Sequence, residues 1–210
     1  MAEPLKIGVL ASGNGSNLQA IIDQVETGVI QARIACVIAN KSDAFALERA
    51  KRHGIPAFFL DHRAFAGREA YDAAVVETLR GYGVRLVVLA GFMRIITPVL
   101  LEAFPLSIMN IHPALLPAFP GLHAQRQALQ YGAKISGCTV HFVDEGTDTG
   151  PIVIQAAVPV MGNDTEETLA ARIQVEEHRI YPQAVRLFAE GRLQVVGRKV
   201  TITDVISTQS

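Results

Sequence analysis

From Leu5 to Leu89 the chain repeats one rhythm. Short apolar runs at Lys6–Leu10, Arg33–Ala39, Ala57–Leu60 and Arg85–Leu89 alternate with longer amphipathic stretches near Asn17–Glu26, Ala44–His53 and Arg68–Tyr82. A near-continuous apolar run is what a strand buried on both faces requires, and the helical spacing between runs predicts crossover helices. Gly28, Gly54 and Gly81 or Gly83 stand where each helix should stop. Strand–helix alternation of this kind predicts an α/β fold, a Rossmann-like, doubly wound and mostly parallel sheet.

The rhythm changes after about residue 105. Leu106–Ile111 reads as a fifth strand, followed by a Pro- and Gly-rich loop from Pro113 to Gly121 and a short helix at Ala124–Tyr131. Two further strands, Ser136–Val143 and Ile152–Val160, flank the acidic loop Asp144–Pro151. A long helix is expected from Thr165 to Glu190, opened by Asp164 with Glu167 three residues on, a capping-box pattern. Pro182 should kink or break it. Leu193–Thr203 reads as a hairpin turning at Gly197-Arg198. This half of the sheet is therefore expected to be mixed. With no repeat or linker, residues 1–210 are expected to form a single domain.

Composition narrows the function classes. Hydrophobic residues make up 50% and charged residues 19%, which argues against disorder. A formal net charge of −1 speaks against a basic field for nucleic acid or for a membrane surface. The two cysteines, Cys36 and Cys138, fall inside expected strands and show neither a disulfide framework nor zinc spacing. No secretory signal is read at the amino terminus, so a cytoplasmic location is expected.

Candidate chemistry gathers where the expected strands end. In Met109-Asn110-Ile111-His112-Pro113, Asn110 and His112 lie two apart and share one face of the strand. An amide donor beside an imidazole suits a carbonyl whose oxygen becomes negative. In Gly146-Thr147-Asp148-Thr149-Gly150-Pro151, Asp148 is either a turn residue or the carboxylate that orients His112 and keeps it protonated. His141, on the preceding strand, reads as support for Asp148. The turn Ser12-Gly13-Asn14-Gly15-Ser16-Asn17 joins the first strand to the first helix. Leu18 stands where the dinucleotide fingerprint needs a third glycine, so the turn suits a single phosphate better than NAD. Glu177 falls within the apolar stripe Leu169, Ile173, Ile180 and Ala184. It is either salt-bridged to an arginine or holds a polar or amino group of a ligand. Gly91-Phe92-Met93-Arg94-Ile95 supplies an apolar wall and backbone groups for a flat heterocycle, or is a plain connecting loop.

These segments resemble a known family. Gly13-Asn14-Gly15-Ser16-Asn17, Leu89-Ala90-Gly91-Phe92-Met93-Arg94, Asn110-Ile111-His112-Pro113 with Leu115-Leu116-Pro117, and Pro120-Gly121-Leu122-His123 carry the first part of the resemblance. Asp144-Glu145-Gly146 with Asp148-Thr149-Gly150-Pro151, and Glu177-His178-Arg179-Ile180-Tyr181-Pro182, carry the rest. Taken in order over about residues 5 to 195, they resemble the phosphoribosylglycinamide formyltransferases, folate-dependent enzymes of purine synthesis. The resemblance implies the formyltransferase fold and transfer of a formyl group from the co-substrate 10-formyltetrahydrofolate to the amine of glycinamide ribonucleotide, without a metal. It puts the catalytic residues at Asn110, His112 and Asp148, and the phosphate and nucleotide contacts at Gly15, Ser16, Asn17 and Glu177. It puts the folate contacts at Met93, Arg94, Ile95, Val143 and Asp144. The half at about 1–105 would then hold the nucleotide and phosphate, and the half at about 106–210 would be catalytic and folate-binding. Partners would be small molecules only, with the chain a monomer or homodimer. Methionyl-tRNA formyltransferase and formyltetrahydrofolate deformylase would be expected to carry an extra domain for which 210 residues leave no room. A sensing module that kept the fold without the chemistry is the rival outside enzymes.

Overall fold

The computed structural model describes residues 3–204; residues 1–2 and 205–210, the ends of the expected 1–210 domain, lie outside them. Its strands form one nine-stranded sheet. The first half winds β1 (Leu5–Ala11), α1 (Ser16–Glu26), β2 (Ala32–Ala39), α2 (Phe45–Arg52), β3 (Ala57–Phe59), α3 (Arg68–Gly81), β4 (Leu86–Leu89), α4 (Pro98–Ala103) and β5 (Ile108–His112). The second half adds α5 (Ala124–Tyr131), β6 (Ile135–Phe142), β7 (Ile152–Pro159), α6 (Glu166–Ala189), β8 (Leu193–Val196) and β9 (Lys199–Ile202). Strand order is β3-β2-β1-β4-β5-β6-β7-β9-β8. Strands β1 to β5 are parallel to one another, whereas β6 runs antiparallel to both β5 and β7. The expected parallel half and mixed half are both present.

Burial on both faces follows from the runs of apolar residues. Val9, Ala11, Val37 and Val88 pack under α1, α2 and α6, while Leu10, Cys36, Ile38, Val87 and Leu89 pack under α3 and α4. The two faces alternate residue by residue, the period of a strand. The order of winding reverses between β1 and β4, the switch point outside which open α/β sheets hold ligands.

Four local expectations change. Leu106 is not in a strand: it is half exposed with φ 49°, in the turn that precedes β5. Helix α4 had no periodic signal because it has six residues, but Thr97 before Pro98 is an ordinary helix start. The cap of α6 is Thr165 paired reciprocally with Thr168, one residue later than Asp164 and Glu167 suggested. Asp164 instead takes two bonds from Arg172, at 2.7 and 2.8 Å. Finally, α6 continues through Pro182 as one helix. Proline removes one N–H, and packing of α6 against α1, β6 and β7 holds the helix across that gap.

Tyr181 fixes α6 to the middle of the sheet. Fully buried, its hydroxyl lies 3.0 Å from the Leu89 carbonyl and 2.8 Å from the Met109 carbonyl, bridging the ends of β4 and β5. Tyr181→Phe should lower unfolding free energy by about 1 kcal/mol, read as a lower urea midpoint at unchanged slope. An unshifted midpoint would show that this bridge contributes nothing net.

Candidate active site

Strand β5 ends with Asn110 and His112 on one face, as the spacing predicted. Its antiparallel register with β6 sets Asn110 opposite His141 and His112 opposite Thr139. Asn110 Nδ2 lies 3.3 Å from His141 Nε2, while His141 Nδ1 lies 2.8 Å from the Phe142 carbonyl. The Phe142 carbonyl accepts a hydrogen from Nδ1, and Nε2 faces the Asn110 amide.

Asp148 reaches the same place from the β6–β7 loop. Its Oδ2 is 3.2 Å from His112 Nδ1 and its Oδ1 is 3.6 Å from His141 Nε2. The loop is shaped to present it: Asp148 has φ 55°, and a Cβ on Gly150 would collide with the Phe142 carbonyl. Asp144 closes the loop by accepting from Gly146 N–H at 3.1 Å and the Thr149 hydroxyl at 2.6 Å. Half-buried Val143 donates its N–H to the Ile108 carbonyl at 2.9 Å. Both therefore shape the edge of the site.

The segment after β5 folds back over these groups. Phe119 carbonyl lies 2.8 Å from His112 Nε2, and Gly121 N–H donates to Asp148 Oδ2 at 2.8 Å. The base of the segment hangs on buried Thr139, whose hydroxyl donates to the Ala114 carbonyl at 2.7 Å and accepts from Leu116 N–H at 3.1 Å. Gln155 adds bonds of 2.9 Å to the Leu116 carbonyl and to Thr139. Sequence reasoning missed all of these partners, because two are main-chain groups in a loop and two are ordinary strand positions.

Burial and neighbouring acceptors act in opposite directions on His112. Burial pushes the imidazole below its ordinary value of 6.5, and the pull of the Phe119 carbonyl and the Asp148 carboxylate does not make up the difference. Burial thus opposes the charge that Asp148 favours on His112. Both ring nitrogens nonetheless face acceptors, so the ring satisfies both contacts only when doubly protonated. The result is a neutral base with a prepared seat for one more proton. Burial raises Asp148, but hydrogen bonding to His141 and Gly121 and the nearby His112 and His141 outweigh it, and its carboxyl stays below the ordinary 3.8.

Beside this cluster lies the turn after β1. Gly15 has φ 74°, and a Cβ there would press on Ala46 at 2.8 Å, so glycine is required on both counts. Helix α1 then starts at Ser16 and Asn17 without a side-chain cap, leaving its amino-terminal dipole toward the turn. Buried Glu177, on α6, accepts from Asn17 Nδ2 at 2.9 Å, and Gln174 donates to Ser16 Oγ at 3.1 Å. No arginine pairs with Glu177 among the described residues, so the salt-bridge reading fails. Burial pushes its carboxyl up, and the single Asn17 bond only partly opposes this.

The loop after β4 completes the edge. Met93 and Ile95 point outward at 67% and 66% exposure, while the Arg94 guanidinium turns inward over the Tyr71 ring, 5.1 Å from its centroid. Ser12 ties the two loops together: its hydroxyl donates to Asn40 Oδ1 at 2.6 Å and accepts from Met93 N–H at 2.9 Å. The structure thus brings Asn110, His112, His141 and Asp148 together, ties Ser16 and Asn17 to Gln174 and Glu177, and ties Met93 to Ser12. The cysteines lie elsewhere, buried, their thiols pushed up to about 11 for Cys36 and about 12 for Cys138. Among the described residues, no helix is long and apolar enough to cross a membrane, and no cluster of three or more His, Cys, Asp or Glu could hold a metal ion.

Comparison with known proteins accounts for this arrangement. The formyl transferase family pattern matches residues 5–185. Phosphoribosylglycinamide formyltransferase of Escherichia coli is 48% identical over 191 residues, 91% of this chain and 90% of that protein. The enzyme of the same name from Haemophilus influenzae is 45% identical over 190 residues, 90% of each. The crystal structure of glycinamide ribonucleotide transformylase 1 from Symbiobacterium toebii superposes with a TM-score of 0.96 at 57% identity, covering 97% of this chain and 96% of that one. The chain belongs to the phosphoribosylglycinamide formyltransferases, within the formyl transferase family.

Proposed function

We propose that this chain moves the formyl group of 10-formyltetrahydrofolate to the amine of glycinamide ribonucleotide, with Asn110, His112 and Asp148 as the catalytic residues. The observation that carries the reading is the meeting of an amide, an imidazole and a carboxylate where β5 pairs with β6, with His112 and Asp148 3.2 Å apart. The turn at Gly15, Ser16 and Asn17 suits the ribonucleotide phosphate. Glu177, with no cationic partner among the described residues, suits the amino end of that substrate. The outward Met93 and Ile95, the main chain around Arg94, and the edge formed by Val143 and Asp144 suit a flat pteridine ring. One domain would then hold both substrates, the nucleotide mainly on its first half and the folate against its second. The reaction belongs to the cytoplasm, and nothing in it calls for nucleic acid.

Each residue has a defined task in this reading. The amine lone pair attacks the formyl carbon, and the carbonyl electron pair moves to oxygen. Asn110 Nδ2 donates to that oxygen; one such donor is typically worth about 3 kcal/mol. The proton leaving the amine passes by way of Asp148 to His112, whose imidazolium then has acceptors on both sides. As the carbonyl re-forms, the carbon–nitrogen bond to folate breaks and its electron pair takes that proton. Holding both substrates in one cleft supplies much of the remaining acceleration.

The direct test mixes the purified chain with both substrates and follows folate absorbance; no turnover would overturn the reading. Asp148→Asn should cut kcat by at least about 10²-fold while glycinamide ribonucleotide still binds, and an unchanged kcat would remove the carboxylate from the mechanism. Because His112 must be neutral to receive the proton and burial holds it down, kcat should be flat near pH 7 and fall only below the ordinary 6.5. An acid limb centred above pH 7 would contradict that assignment. Glu177→Gln gives opposite signs for stability and binding. Its raised carboxyl makes the ionised form a penalty that is fully present above its folded pKa, so the variant should melt higher at pH 8. The KM for glycinamide ribonucleotide should rise about tenfold with that for folate little changed. Equal rises in both would assign Glu177 a structural part only.

A further inference from the structure

We infer that Asp72 and Tyr71, adjacent on α3, are positioning residues for folate binding, holding the loop after β4 so that Met93 and Ile95 face outward. The inference rests on the folate reading above and adds to it two residues remote from the reacting atoms. Asp72 is 3% exposed, and its Oδ2 accepts from Thr97 N–H at 2.6 Å. A carboxylate so buried is kept only where its partner matters. Thr97 is the residue from which α4 starts, so this bond fixes the far end of the loop. Tyr71, fully buried between Phe65 and His62, presents its ring to the Arg94 guanidinium.

Together with Ser12, which accepts from Met93 N–H, these contacts pin the loop at residues 93, 94 and 97. Alternation does the rest. With Arg94 turned in and half-buried Ile96 packed toward α3 and α4, Met93 and Ile95 have only solvent to face. Two large apolar side chains held outward at 67% and 66% exposure cost free energy in the free protein. A loop that is merely structural would turn them in; one that meets an apolar ring needs them where they are.

The test is a steady-state comparison of wild type with Asp72→Ala, Asp72→Asn and Tyr71→Leu, with circular dichroism on each. Folded Asp72→Ala should raise the KM for 10-formyltetrahydrofolate about tenfold, leaving kcat and the KM for glycinamide ribonucleotide within about twofold. Asp72→Asn keeps an oxygen to accept from Thr97 N–H and should stay within about threefold of wild type. Tyr71→Leu leaves that bond intact and should show the same split, so it decides the matter if Asp72→Ala does not fold. An unchanged folate KM in a folded variant, parallel rises in both KM values, or Asp72→Asn as defective as Asp72→Ala would overturn the inference. Wild type that transfers no formyl group from folate would instead overturn the transferase reading, and this inference with it.

Discussion

The antiparallel pairing of β5 with β6 is the constraint on which the site depends. It sets Asn110 against His141 and His112 against Thr139, so one strand carries the polar groups proposed to react and its neighbour the groups that hold them. A slip of one residue would reverse every side chain of β5. His112 would leave Asp148, and Met109 and Ile111 would leave the core that makes the slip costly. Tyr181, bonded to the Leu89 and Met109 carbonyls, ties this register to the parallel half of the sheet. Core packing and catalytic geometry are therefore one requirement, met by alternate residues of one strand.

Burial and charge act against each other at His112, and burial prevails. An exposed imidazole beside a carboxylate would gain a proton, but the buried ring stays neutral although both its nitrogens face acceptors. Such a ring suits the proposed reaction, in which it would take up a released proton. Asp148 is arranged differently. Its two oxygens together meet Gly121 N–H, His112 and His141, enough to keep it ionised while half-buried. Glu177, with a single amide partner, has no such support. The carboxylate already satisfied by the protein suits proton handling, and the one left short suits a ligand.

The sequence carried the sheet well where its signal is periodic. Apolar runs located β1, β2, β4, β6 and β7 to within one or two residues, and the two-residue spacing put Asn110 and His112 on one face. Leu106 misled because an apolar residue at a turn looks like one in a strand until its φ is known. Helix α4 is too short to show a period, and Pro182 was read locally although tertiary packing decides its tolerance. At the site, side chains were legible and main-chain partners were not. Nothing in the letters for Phe119 or Gly121 says that a carbonyl and an amide of that loop will meet His112 and Asp148.

Those main-chain contacts also bear on how the proposed reaction can proceed. The Phe119 carbonyl occupies His112 Nε2, and the Gly121 amide occupies the Asp148 oxygen that faces His112. For His112 to deliver a proton to a substrate atom through Nε2, the Phe119 carbonyl has to give way or share. The fold restricts where this happens. Thr139 and Gln155 fix Ala114 and Leu116 with three hydrogen bonds at the base of the segment and are bonded to each other, whereas His123 begins α5 at its other end. Between these anchors lie half-buried Phe119 and outward-facing Leu122, with the Pro120 and Leu122 carbonyls accepting from Gln127 Nε2. The contacts that cover the proposed relay therefore come from this one loop, whereas the β5–β6 register sets its geometry.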